Sequence, residues 1–123
     1  MGQQKQNGPV VLVVEDEPLT LMDAVELVNE AGFEAISARN ADDAITILER
    51  REDVRMIFTD INMPGSMDGL KLAHAVRNRW PPIEIIVTSA NLGAAQQLPD
   101  RGIFVPKPYT RAQISNALHR FAA

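Results

Sequence analysis

Five short apolar runs punctuate the chain, and most are followed by a stretch in which apolar residues recur every three or four positions. The first run, Val10-Val11-Leu12-Val13-Val14, is continuous and β-branched, without polar alternation, so it reads as a strand covered on both faces. After Pro18, residues Leu21, Ala24, Val25 and Val28 recur at helical spacing and Gly32 is placed for a left-handed cap, which predicts a helix over about residues 18–31. Phe33 to Ala38 predicts a second strand. Asn40 then caps a second helix, with Asp42 and Asp43 in its first turn and Ile45 and Leu48 on its buried face. Met56 to Thr59 predicts a third strand that ends at Asp60, and Asp68 caps a helix carrying Leu72, Ala73 and Val76 that stops before Pro81-Pro82.

Ile83 to Thr88 predicts a fourth strand, followed by a short Ala-rich helical segment from about Asn91 to Leu98 that Pro99 truncates. Ile103 to Val105 is the fifth strand. Thr110-x-x-Gln113 forms a capping box, and Ile114, Ala117, Leu118 and Phe121 follow at the spacing of a final helix. Five strands alternating with five helices predict an α/β protein with a doubly wound, five-stranded parallel sheet in the order 2-1-3-4-5.

No repeat, linker or low-complexity stretch divides the 123 residues, and one domain is expected over residues 9–123. The polar opening, residues 1–8, is expected to be a mobile tail, and no run approaches the length of a membrane span. The absence of cysteine excludes disulfides, thiol nucleophiles and cysteine-ligated metals. A net charge of −4 and a pI near 5.1 argue against a nucleic-acid partner. That mean hides an asymmetry: residues 1–61 hold 13 acidic and 5 basic side chains, residues 62–123 hold 3 acidic and 7 basic.

In doubly wound folds ligands bind at the carboxyl ends of the strands, near the switch point between strands one and three. Strand one here ends in Glu15-Asp16-Glu17, strand three in Asp60, strand four in Thr88-Ser89, and strand five runs into Lys107-Pro108. Taken alone, Glu15-Asp16-Glu17 reads equally well as negative charge at a helix start. Beside Asp60, however, these carboxylates repel unless a cation or protons intervene, and an all-oxygen donor set favours magnesium or manganese. Lys107 and the Thr88 hydroxyl are then placed to hold phosphoryl oxygens, and Asp60 to act as a carboxylate nucleophile.

Four motifs carry a more specific resemblance: Val-Val-Glu15-Asp16-Glu17, Asp60-x-x-Met63-Pro64 with Met67-Asp68-Gly69, Val87-Thr88-Ser89-Ala90, and Val105-Pro106-Lys107-Pro108. Together they resemble the receiver domain of two-component response regulators, of the stand-alone chemotaxis type, over nearly everything from Val10 to Phe121. The resemblance implies a flavodoxin-like fold and a cytoplasmic signalling protein, not an enzyme except toward its own phosphorylation and dephosphorylation. It implies that Asp60 is the phosphoacceptor and that Mg2+ is bound by Asp16, by Asp60, by Glu15 through water, and by the Asn62 backbone carbonyl. Thr88 would bind the phosphoryl group and move toward it, Lys107 would pair with it, and Phe104 would rotate inward as the switch. The Lys107-Pro108 peptide would be cis.

The implied partners are a sensor histidine kinase or histidine phosphotransfer protein and a downstream protein target, with the receiver itself a monomer or weak dimer and no nucleic acid or membrane involved. No output domain follows Phe121 in the sequence, so a stand-alone receiver or phosphate relay is expected, the alternative being a fragment of a larger regulator. A small aspartyl-nucleophile phosphohydrolase is a further alternative, although Asn62 stands where such enzymes usually carry a second acid. A flavin or nucleotide binder fits poorly, because the first strand-helix turn is acidic and lacks a glycine-rich phosphate loop. His74 and His119 lack ligand spacing and read as helix-surface residues, and Trp80 as part of a helix stop. The loop between Asp60 and Asp68 is one residue longer than the common pattern, and the stretch between Thr88 and Lys107 about three shorter, which puts dimerisation or signalling through the usual helix-four face in doubt.

Overall fold

Val10 to Val14, the β-branched run, forms the central strand β1, and all five of its residues are buried. The computed structural model describes residues 8–62 and 68–122, so all of the expected tail over residues 1–8 except Gly8, and the loop residues 63–67, lie outside the described residues. β1 is followed by α1 (Pro18–Glu30), β2 (Glu34–Ala38), α2 (Ala41–Arg50), β3 (Val54–Asp60), α3 (Gly69–Arg79) and β4 (Glu84–Ser89). A 3-10 helix over Leu92–Gln97, β5 (Ile103–Pro106) and α4 (Arg111–Ala122) complete the order. All strand pairs are parallel and the sheet order is β2-β1-β3-β4-β5, as the alternation of elements predicts.

The alternation of side chains across the strands divides the core into two layers. Leu12, Val14, Ile57, Ile85 and Val87 face α2 and α3, where Leu48, Leu72 and Val76 cover them. Val11, Val13, Phe58, Ile86 and Val105 face α1 and α4, where Leu21, Val28, Ile114 and Leu118 cover them. Each fully enclosed Leu or Ile of these layers contributes about 1.5–3 kcal/mol over its exposed state.

The expected caps hold. Asn40 Oδ1 accepts from Asp43 N at 2.8 Å and Asp68 Oδ1 from Lys71 N at 2.8 Å. Thr110 and Gln113 satisfy each other's backbone amides at 3.1 and 2.8 Å, and Gly32 adopts a φ of +99°. Glu17 turns out to be the N-cap of α1, its carboxylate accepting from Leu19 N and Thr20 N. β3 begins two residues earlier than its apolar run, because exposed Arg55 interrupts the pattern after buried Val54. The fourth helical segment is a single 3-10 stretch in which only Ala94 is buried, consistent with the truncation that Pro99 imposes.

Candidate functional site

The sheet's hydrogen-bond ladder continues past the strand ends and fixes the backbone of the residues that follow. Glu15 N donates to Ala38 O at 3.1 Å, Ile61 N to Thr88 O at 3.1 Å, and Lys107 N to Ser89 O at 3.0 Å. Asp60 and Thr88 are register partners on β3 and β4. The polar side chains at the carboxyl edge thus share one rigid platform.

On it, Lys107 Nζ donates to Asp60 Oδ2 at 2.7 Å and the Asn62 backbone N–H donates to Asp60 Oδ1 at 3.2 Å. Asp60 is 7% exposed, Glu15 6% and Thr88 3%, so two acids and a hydroxyl are withdrawn from water with one lysine beside them. They surround a cavity of about 10 Å³, room for one water, together with Thr20, Tyr109 and apolar residues of β1, α1 and β3. Burial, then a hydrogen bond with Asp60 and the charge of Asp60, push the Glu15 carboxyl up to about 7. Burial, with the nearby acids, also raises the Tyr109 phenol. Among the described residues the buried Thr88 hydroxyl has no hydrogen-bond partner.

Of the residues singled out from sequence, Glu15, Asp60, Thr88 and Lys107 are therefore gathered around one cavity. Asp16 and Asn62 are exposed and not part of its lining, and among the described residues no three acidic or histidine side chains converge into a metal-holding group. Phe104 is half-buried on β5 opposite Val87 and does not line the cavity. The Lys107-Pro108 peptide is cis. The sequence reading missed Thr20 and Tyr109: an isolated threonine in a helix's first turn and a tyrosine after a proline carry no pattern of their own. His74 and His119 are exposed helix residues, as expected, His74 Nε2 meeting Gln97 O at 2.7 Å and His119 resting on the Phe33 ring.

Asp60 thus ends a central parallel strand with Lys107 paired to its carboxylate at 2.7 Å, and Thr88, its register partner on the adjacent strand, holds a hydroxyl with no partner among the described residues. The family model described as response regulator receiver domain matches residues 11–119. The chain belongs to the response regulator receiver family. It is 31% identical over 104 residues to the nitrogen assimilation regulatory protein NtrX of Azorhizobium caulinodans, covering 80% of this chain and 23% of that protein. It is 28% identical over 120 residues to the sensor protein TorS of Escherichia coli, covering 94% of this chain and 13% of that one. The chain thus spans under a quarter of the length of these two relatives.

Among solved structures, a response regulator receiver protein from Sinorhizobium medicae superimposes with a TM-score of 0.83 at 26% identity, covering 95% of this chain and 96% of that one. The response regulator TrrA of Thermotoga maritima, solved in complex with Mg(2+)-BeF, shares the fold with a TM-score of 0.81 at 23% identity, over 92% and 98% of the two chains. The receiver is a module of two-component signalling rather than a typical enzyme. No helix among the described residues is long and apolar enough to cross a membrane.

The donor set fits the Mg2+ that receiver domains bind: it is all oxygen, it contains two buried acids against one lysine, and among the described residues it leaves a buried hydroxyl without a partner.

Proposed function

We propose that this receiver accepts a phosphoryl group from a phosphohistidine donor onto Asp60. The observation that carries the proposal is the Lys107 Nζ–Asp60 Oδ2 contact at 2.7 Å beside the orphaned Thr88 hydroxyl. In the transfer, an Asp60 carboxylate oxygen forms the new P–O bond while the P–N bond to the donor imidazole breaks, and the electron pair leaves with the imidazole. Lys107 exchanges its contact with Asp60 for one with a phosphoryl oxygen, and the Thr88 hydroxyl donates to another. Glu15 (through water), Asp16, Asp60 and the Asn62 carbonyl would hold Mg2+, which supplies neutralisation of charge on the transferring group. Thr88's movement toward the phosphoryl group opens space into which Phe104 turns, altering the β5 edge for a downstream protein.

The phosphodonor, a sensor histidine kinase or histidine phosphotransfer protein, docks on the N-terminal half of α1. Leu19 and Met22 are 74% and 67% exposed there, among exposed Asp16, Glu17, Asp23 and Glu26. Such a face suits a partner helix with an apolar centre and a basic rim. The chain works in the cytoplasm as one unit over residues 9–123, monomeric or weakly dimeric, either alone or as the receiver of a longer regulator.

Incubation with acetyl phosphate and Mg2+ tests the assignment. The wild type should acquire an acid-labile phosphoryl group that Asp60→Asn does not, and undiminished labelling of the variant would refute it.

A further inference from the structure

Gly69, the first residue of α3, lies hard against the backbone of the proposed phosphoacceptor. A Cβ placed there would overlap the Asp60 carbonyl oxygen, and would fall 2.7 Å from the Asp60 carbonyl carbon and 2.9 Å from Ile61 Cα. Real Cβ atoms do not approach backbone this closely, and both neighbours are held in the sheet ladder, so they cannot swing aside as a flexible side chain would. The Gly69 N–H also donates to Ile61 O at 2.9 Å. Thr59 Oγ1 donates to the same Asp60 O at 3.0 Å. The peptide units on both sides of Ile61 are thereby clamped, and Asn62 is the next residue along the chain.

We propose that Gly69 is a positioning residue for the site: by admitting the start of α3 into contact with the Asp60–Ile61 backbone, it sets both the Asp60 carboxylate and the Asn62 carbonyl. This rests on the reading of Asp60 as phosphoacceptor and Mg2+ ligand. The φ of Gly69 does not fall in the left-handed region, so its requirement is one of space and not of backbone conformation. Asp68, by capping α3 through Lys71 N, holds the glycine in place.

The molecule supplies a matched control. A Cβ at Gly8 would collide with the Gly32 carbonyl in the same way, 2.9 Å from Gly32 C and from Phe33 Cα, but at the opposite end of the sheet. Gly69→Ala and Gly8→Ala are compared with the wild type by thermal unfolding, by the amide resonances of Asp60, Ile61 and Asn62 in metal-free protein, and by Mg2+ titration of those resonances. Both variants should unfold at lower temperature. Only Gly69→Ala should displace the three resonances and weaken Mg2+ binding, by about tenfold or more. Unchanged resonances and affinity in Gly69→Ala, or an equal loss in Gly8→Ala, would overturn the proposal.

Should Gly69→Ala fail to fold, Asp68→Ala loosens the start of α3 without adding an atom and should weaken Mg2+ by about fivefold, whereas Asp68→Asn keeps a cap and should not. Equal affinities of the two overturn the proposal as well. If the wild type instead takes neither Mg2+ nor phosphoryl group, the functional reading fails while the metal-free resonances still decide whether Gly69 positions Asp60.

Discussion

Thr88 stands opposite Asp60 as its register partner on the adjacent parallel strand, and its enclosed hydroxyl has no hydrogen-bond partner among the described residues. A buried polar group left unpaired costs free energy in the resting state, and that cost disappears when a partner arrives. Thr88→Val, of nearly the same shape, should therefore raise the stability of the metal-free protein by about 1 kcal/mol in chemical denaturation. The same change should reduce the conformational response to acetyl phosphate, read by amide shifts around Phe104. A Thr88→Val variant less stable than the wild type would mean that the hydroxyl is satisfied.

Glu15 carries a pH dependence of definite sign. Its carboxyl sits at about 7 in the folded chain against an ordinary value of 4.5, so between these limits the folded state keeps a proton that the unfolded state has released. Its contribution to stability is fully present below pH 4.5, is lost as pH rises toward 7, and is constant above. Denaturation of metal-free protein from pH 5 to 8 should show that decline, and Glu15→Gln should flatten it. Because Mg2+ competes with the same proton, its affinity should rise over the same interval.

Lys107→Met would leave Asp60 and Glu15 facing each other without their lysine. Lys107 keeps 31% of its side chain in water, which moderates the loss to about 1–2 kcal/mol, larger at pH 8 than at pH 5. Saturating Mg2+ should restore part of it. A loss independent of both pH and Mg2+ would argue that Lys107 acts through packing.

The α1 face separates docking from chemistry. Leu19→Glu with Met22→Glu adds charge at two exposed positions and removes apolar contact there. Phosphotransfer from a histidine protein should slow by about tenfold or more, the scale of losing central contact residues, while labelling by acetyl phosphate stays at the wild-type rate. Equal slowing with both donors would place the effect in the cavity.

Much of this was legible in the sequence because the signals are local. The unbroken Val10–Val14 run announces a strand covered on both faces, and Asn40, Asp68 and Thr110 announce helix starts through chemistry confined to four residues. Asp60 and Lys107 were legible as a pair because parallel strands deliver their carboxyl ends to one edge. Contacts that depend on depth were not. Glu17 and Asp16 are chemically alike in sequence, yet one caps α1 and the other is exposed without lining the cavity. Thr20 enters the cavity only through the packing of α1 on the sheet and Tyr109 through its edge contact with the Phe58 ring, and the close approach of Gly69 to Asp60 joins backbone segments that no local pattern couples.

The ladder bonds that outrun the strands have a kinetic meaning. Since the amides of Glu15, Ile61 and Lys107 belong to the same hydrogen-bonded sheet as the core strands, their exchange with solvent deuterium should require the whole sheet to open rather than a loop to fray. The backbone that carries the Asp60 carboxylate would then keep its alignment for as long as the protein remains folded, while side chains such as those of Thr88 and Lys107 stay free to move. Heating should abolish the capacity for phosphorylation in one cooperative step with the fold, leaving no warm interval in which an intact receiver is silent.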